Sequence, residues 1–349
     1  METCRLLKFD MHMLRNVGIQ LKGKVHDTML VAKLANENRP SFTLLSLAEN
    51  LGGVVDFEYM VDLYKKTYKV KDYSKIPRDL MTQYSNADIY NCWLVFTKEY
   101  PILEQDNLVE LYENELAIMQ IAYDMERSGM YADMEYEAPL KAKLQAQRDS
   151  AEAEIYDMAG GIFNINSGAQ LHKVMLKLGV DASEFNYTDK GNVKLDKDEM
   201  AKFEKKGVPI VSKILEFKQA EKLLTTYAVG IYSQIGKDCR AHASINTGEA
   251  ATGRMSVTKP GLQTLPKGNT SIRDMFIPEP GFDMYALDLD QVEYRIYGHY
   301  SKDENLCRMI KEGHDVHSAT ASLLFGVPIS EIEKPMRNKA KTINFGLTV

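Results

Sequence analysis

From about Leu103 to Met158 the sequence reads as helix almost without pause, broken at Ser128-Gly129 and ended by Gly160-Gly161. A periodic run of that length fixes the middle of the chain as a helical region. It is also acidic, with fourteen Asp and Glu against four Lys and Arg between residues 101 and 160. Upstream, residues 1–100 mix short apolar runs with helical patterns such as Phe42–Gly52, for which Ser41 and Gly52 serve as start and stop signals. Downstream, Phe163-Asn-Ile-Asn-Ser167 caps a helix carrying Leu171, Val174 and Leu178. Residues 186–197 form a polar hairpin turning at Lys190-Gly191-Asn192, and a further helix runs through Val211–Tyr232. After Gly236 the texture changes to short strands and turns, Met284–Leu289 reads as a buried strand, and two or three helices follow. The fold class expected is mixed, α+β or α/β, with two or three domains in 349 residues.

The composition, 44% hydrophobic and 26% charged, excludes a collagen-like or wholly disordered chain. No run of about 18 apolar residues occurs, so no membrane span is expected. The first residues lack the apolar stretch of a signal peptide. Cys4, Cys92, Cys239 and Cys307 lie far apart with no Cys-x-x-Cys pair. That speaks against a zinc site or a disulfide framework and for a reducing interior, hence a cytoplasmic setting. A net charge of −6 argues against a nucleic-acid partner at first sight. The distribution reverses this, because Arg240, Arg254, Lys259, Lys267 and Arg273 face only Glu249 and Asp274 within residues 240–275. Residues 334–341 add Lys334, Arg337, Lys339 and Lys341 with no acid among them. Local basic patches set the field a phosphate feels.

Three segments carry chemistry together. Thr252-Gly-Arg-Met-Ser256, followed by Pro260-Gly-Leu-Gln-Thr-Leu-Pro266, is a Gly/Pro-rich loop presenting one arginine. Ala286-Leu-Asp-Leu-Asp-Gln-Val-Glu-Tyr-Arg295 places a carboxylate after an apolar strand and before a helix, a common metal-ligand position. A helix N-cap by Asp288 or Asp290 is the plainer reading of that segment alone. Arg337-Asn-Lys-Ala-Lys-Thr-Ile-Asn-Phe-Gly346 spaces Arg337, Lys341 and Phe345 four apart. A helix stacks them along one slowly winding face. Two cations one turn apart suit a triphosphate, with an aromatic beyond them for a base or sugar.

In this order and at these spacings the segments resemble family A DNA polymerases. Asp315-Val-His-Ser-Ala-Thr-Ala321 with Phe325-Gly-Val is similar to the family's fingers segment, and Phe163–Ser167 with Gln170-Leu171 to its thumb signature. Lys8-Phe-Asp10 and Tyr84-Ser-Asn-Ala-Asp88 are similar to the second and third motifs of the attached 3′–5′ exonuclease, with His26-Asp-Thr-Met-Leu30 between them. The resemblance implies a ribonuclease-H-like exonuclease domain truncated at residues 1–103 and a helical thumb at 104–235. It implies a partial palm with motif A at 236–300 and the start of the fingers at 301–349. It gives Asp288 and the backbone carbonyl of Leu289 to two Mg²⁺ ions, Arg254 to the primer terminus, and Glu293 to a steric gate against ribose. His317, Arg337 and Lys341 would hold the incoming triphosphate and Phe345 its sugar and base, with Asp288, Arg254 and Lys341 forming the catalytic set. Asp10, Asp88 and Tyr84 would be half of a two-metal nuclease site. The partners implied are primer–template DNA and dNTPs, and the role is DNA replication.

The departures from the family pattern shape the rest of the expectation. No His-Asp-Glu triplet, the family's motif C, occurs in the chain. Asp290 stands where serine is usual, Val349 where tyrosine supports the gate, and Leu6 where the second exonuclease motif has asparagine. The exonuclease's opening Asp-x-Glu is absent. The chain is therefore expected to be a fragment of a phage-like replicative polymerase, truncated at both ends. Its origin would be a split gene, an intron or intein, or an incomplete frame. Completion in trans by a C-terminal polymerase fragment carrying motif C is expected, and a catalytically inactive primer–template-binding fragment is the rival reading.

Overall fold

The computed structural model of the chain describes residues 2–4, 7–188, 190–248, 250, 253–266 and 270–348, for residues 2–4, 270, 345, 347 and 348 as backbone only. It divides into two compact units, Met1–Phe282 and Asp283–Val349.

In the first unit Glu2–Cys4 (β1) pairs in parallel with Val25–Asp27 (β2), and Leu7–Asn16 (α1) makes the crossover that parallel strands require. β2 runs directly into Thr28–Ala35 (α2). Asp27 caps that turn: its carboxylate accepts from the backbone N–H of Leu30 and from that of Leu7, each at 2.8 Å. Burial pushes the Asp27 carboxyl up to about 6, against the pull of the Leu30, Leu7 and Met29 amides. Leu44–Leu51 (α3) is capped by Thr43, not Ser41, whose hydroxyl instead accepts from the Thr43 amide; Gly52 ends the helix at φ 73°. Asp56–Tyr68 (α4) and Arg78–Gln105 (α5) follow. The long helical run thus begins well before Leu103. α5 packs on α2, α3 and α4, so its apolar residues spread around the helix and show no single stripe.

Val109–Ser128 (α6), Met130–Tyr131 (β3) and Glu137–Ala159 (α7) complete the acidic stretch. The break falls at Gly129, φ 62°, where an added Cβ would stand 2.8 Å from the His242 ring. Gly168–Lys177 (α8) starts under a Ser167 cap, and Lys197–Lys205 (α9) follows the hairpin bridge between Tyr187 and Val193. Pro209–Lys222 (α10) lies along α7 and continues through a π-helical stretch, Leu223–Val229, into Gly230–Tyr232 (α11). Ile155, Leu171, Met175, Phe203 and Ile214 form one core; Leu140, Leu144, Leu223, Tyr227 and Ile272 belong to another. Arg240–Ala241 (β4) pairs with β3, Ser244–Asn246 (β5) with Ser256–Thr258 (β6), and Thr270–Arg273 (α12) closes the unit's helices.

The buried Glu126 of α6 ties distant segments of this unit together. It accepts from Lys8 Nζ at 2.6 Å, meets His12 Nε2 at 2.7 Å, and accepts from the backbone N–H of Ile245 on β5 at 2.5 Å. Its own backbone carbonyl meets His242 Nδ1 at 2.7 Å.

In the second unit, Met284–Leu289 is not the buried strand expected. Among the described residues no strand pairs with it, and Leu287 is 97% exposed. An apolar run becomes a strand only when a neighbour accepts its ladder of hydrogen bonds. Val292–Ser301 (α13), Glu304–Lys311 (α14), Val316–Phe325 (α15) and Lys334–Thr348 (α16) form the rest, around Tyr294, Leu306 and Val316. No described helix in either unit is long and apolar enough to cross a membrane.

Glu126→Ala strips Lys8 and the Ile245 amide of their shared acceptor. Urea unfolding should show a loss of about 3 kcal/mol, and about half that for Glu126→Gln, which still accepts from Ile245. Losses under about 1 kcal/mol for both would show that the cluster does not hold the unit together.

Candidate functional site

Three helices of the second unit converge around His317. Gln291, directly before α13, accepts the backbone N–H of Val316 at the start of α15 at 3.1 Å. Tyr294 of α13 meets the buried His317 ring edge-on, centroids 5.3 Å apart. From α16, Asn344 Nδ2 donates to His317 Nδ1 at 3.2 Å and to Thr320 Oγ1 at 3.0 Å. An amide NH₂ can only donate, so Nδ1 is the acceptor and the ring proton sits on Nε2. Burial lowers the His317 pKa, the Arg337 and Lys341 cations lower it further, and Asp315 opposes them. His317 is thus a neutral donor at pH 7.

Arg337 of α16 grips Asp315 in a two-pronged ion pair, Nε to Oδ2 at 2.7 Å and an Nη to Oδ1 at 2.9 Å. Asp315 also caps α15 through Ser318. Burial works against ionisation of this carboxyl. The Arg337 and Ser318 hydrogen bonds prevail and bring it down to about 2. Lys341 lies one turn beyond Arg337 and is exposed. Phe345 lies on α16, but its side chain, like Val349, is outside the described residues. Glu293 is exposed in the first turn of α13. Asp288 and Leu289 sit on the extended segment before it, both exposed. Asp290 caps no helix: Arg295 Nε donates to its backbone carbonyl at 2.8 Å.

In the first unit Arg254 lies on the connection between β5 and β6, held by Gln263, which bonds the backbones of Met255 and Val257 at 3.2 Å each. Thr252 and Lys267 are outside the described residues. Two of the basic residues nearby are structural. Arg240 pairs with Glu279 and donates to the Ser128 carbonyl, and Arg273 donates to the carbonyls of Pro266 and Leu265. Tyr84 and Asp88 sit one turn apart on α5, where burial and then the Asp88 carboxylate raise the Tyr84 phenol. Asp10 stands on α1, which packs on α6, β1 and β2. Among the described residues no group of three or more His, Cys, Asp or Glu side chains could hold a metal ion. Asp288 by itself does not make up a two-ion site.

Asp315, Asn344, Thr320 and Tyr294 were not read from the sequence as site residues. Asp315 and Asn344 were in plain view, two positions before His317 and one before Phe345. Nothing local marks either as a partner across 22 and 27 residues.

A sequence model of DNA polymerase family A matches residues 134–348. The chain belongs to DNA polymerase family A. DNA polymerase I of Chloroflexus aurantiacus is 33% identical over 97% of the chain, and the thermostable DNA polymerase I of Thermus aquaticus 36% identical over 70%. DNA polymerase I of Bacillus subtilis is 30% identical over 96%. The chain spans about a third of these relatives, 37%, 30% and 38% of their lengths. Among solved structures, the POL domain of Pol1 from M. smegmatis, in complex with DNA primer-template and dNTP, matches at a TM-score of 0.79. It is 27% identical, over 99% of this chain and 57% of that one. The family A match takes in Arg254, Asp288, Glu293, His317, Arg337, Lys341 and Phe345, whereas Asp10, Tyr84 and Asp88 precede it.

The depressed Asp315 pKa has a defined sign. Its stabilisation is full above the ordinary value near 3.8 and is lost as pH falls through about 2. Asp315→Asn should cost about 1–2 kcal/mol at pH 7, allowing for solvent around Arg337, and almost nothing at pH 2. Unfolding curves compared at the two pH values check this; an equal cost at both would remove the ion pair as its cause.

Proposed function

We propose that this chain is the primer- and nucleotide-binding part of a DNA-directed DNA polymerase acting in replication, adding dNTPs to a primer 3′ end. The observation that carries the reading is the grouping of His317, Arg337 and Lys341 on paired helices of a family A chain. Phosphoryl transfer depends on positioning and charge neutralisation, which this set supplies to a triphosphate. Arg337 offers a guanidinium already oriented by Asp315, Lys341 an exposed ammonium, and His317 a neutral donor. Phe345 would pack on the sugar and base, Glu293 exclude a ribose hydroxyl, and Arg254 meet the primer terminus. That the M. smegmatis neighbour was solved with primer-template and dNTP supports these partners.

Within this reading the thumb is residues 104–235, the partial palm 236–300 and the start of the fingers 301–349. Residues 1–103 are the remnant of a ribonuclease-H-like 3′–5′ exonuclease, with Asp10, Tyr84 and Asp88 from its site. Family A polymerases use divalent metal ions. Asp288 and the Leu289 carbonyl would contribute to a Mg²⁺ site, but a two-ion clamp needs a second carboxylate. With no His-Asp-Glu triplet in these 349 residues, that carboxylate comes from outside them. In this reading a polymerase fragment carrying motif C would supply it in trans. The second reading is a primer–template-binding protein without turnover.

Primer extension with labelled DNA separates the two. This chain alone should extend nothing. Mixed with a polymerase fragment ending in the His-Asp-Glu turn, it should extend a primer with Mg²⁺ and four dNTPs. Asp288→Ala and Lys341→Glu should each abolish extension while the two chains still co-purify. Co-purification without incorporation, in Mg²⁺ and Mn²⁺ alike, would favour the binding reading.

A further inference from the structure

The end of α4 and its connection to α5 concentrate positive charge on a chain of net charge −6. Residues 64–78, Tyr-Lys-Lys-Thr-Tyr-Lys-Val-Lys-Asp-Tyr-Ser-Lys-Ile-Pro-Arg, hold six basic side chains against one acid, with three tyrosines between them. The acid is committed locally: Asp72 accepts from the amide and the hydroxyl of Ser74 at 2.9 and 2.8 Å. Lys66, Lys69, Lys71, Lys75 and Arg78 make no ion pair with any described residue. The rings are presented outward. Tyr68 is 65% exposed, with the Tyr64 ring 4.5 Å away, and Tyr73 is 47% exposed with Lys65 Nζ over its face at 4.5 Å. The connection is anchored from beneath by the buried Val61 and Ile76, so this surface is set before any ligand arrives.

Exposed lysines interleaved with outward aromatic rings match single-stranded nucleic acid, whose phosphates take the charge while its unstacked bases take the rings. An acidic peptide would use the lysines and leave Tyr68 and Tyr73 unused. We propose that residues 64–78 form a binding platform for single-stranded nucleic acid, built from residues other than those of the helices that carry His317 and Arg337. The platform does not rest on the polymerase reading, and it stands whether or not the chain catalyses.

The test is fluorescence anisotropy of a labelled oligo-dT strand over a range of salt. Lys69→Glu, Lys71→Glu and Lys75→Glu combined should weaken binding at least about tenfold. They should lower the slope of log K against log salt by about 2, at about 0.7 per lost contact. Tyr68→Ala with Tyr73→Ala should weaken binding about tenfold with the slope unchanged. Unchanged affinity in the lysine variant overturns the proposal. So does a tyrosine variant without effect while heparin binding falls in step with the lysines, since the surface is then a general polyanion site. If either variant misfolds, photo-crosslinking of 4-thiothymidine oligonucleotide to the wild-type chain decides: crosslinks must map to residues 64–78, and crosslinks confined elsewhere overturn the proposal.

Discussion

The first unit depends on Glu126. A buried carboxylate is costly unless every lone pair finds a donor, and here a lysine, a histidine and a backbone amide supply them from two segments more than a hundred residues away on either side. One group thereby sets the position of α1 against α6 and of α6 against the β5–β6 ribbon. Burial disfavours its charged form, yet the Lys8, Ile245 and His12 bonds bring its pKa below the ordinary carboxylate value. Gly129 completes the arrangement three residues later. Only a residue without Cβ lets the chain turn there with His242 pressed close enough to bond the Glu126 carbonyl.

In the second unit the equivalent constraint is the ion pair between Asp315 and Arg337. It fixes the start of α15 to the first turns of α16, beside the buried His317, whose pKa is lowered first by burial and then by the Arg337 and Lys341 cations. The two cations are therefore unlike. Arg337 is planar, oriented and already charge-compensated, while Lys341 carries its charge to the surface. An arriving anion would meet a planar guanidinium at one position and a flexible ammonium at the other.

Much of this architecture was legible in the sequence wherever the signal is local. Ser167 caps α8, Gly52 ends α3 and Gly129 breaks the long helix because caps and left-handed turns are written in one or two residues. Thr43 took the cap expected of Ser41 because both hydroxyls are in reach and only geometry chooses between them. α5 was missed because packing on three neighbours blurs its periodicity, and the Met284–Leu289 strand was misread because an apolar run does not record whether a partner strand exists. The Arg337–Lys341–Phe345 spacing was plain; that Asp315 already engages Arg337 was not, since an ion pair across 22 residues leaves no periodic trace.

The two cores along α7 and α10 have a mechanical consequence. Everything built on Ile155, Leu171, Phe203 and Ile214 is continuous with the remainder through these two helical legs, and the cores change over near Ala220. On the far side of that changeover one leg passes into the π-helical stretch, where i→i+5 bonds replace the i→i+4 bonds of the α-helix it continues. From there to the start of α10 is fourteen residues, about 20 Å of lever at 1.5 Å per residue. A bend of about 10° at the changeover carries the tip through about 3.5 Å, with neither core opened, at the same 1.5 Å per residue. Stiffness at that point, more than packing within the tip, sets how far the tip can swing.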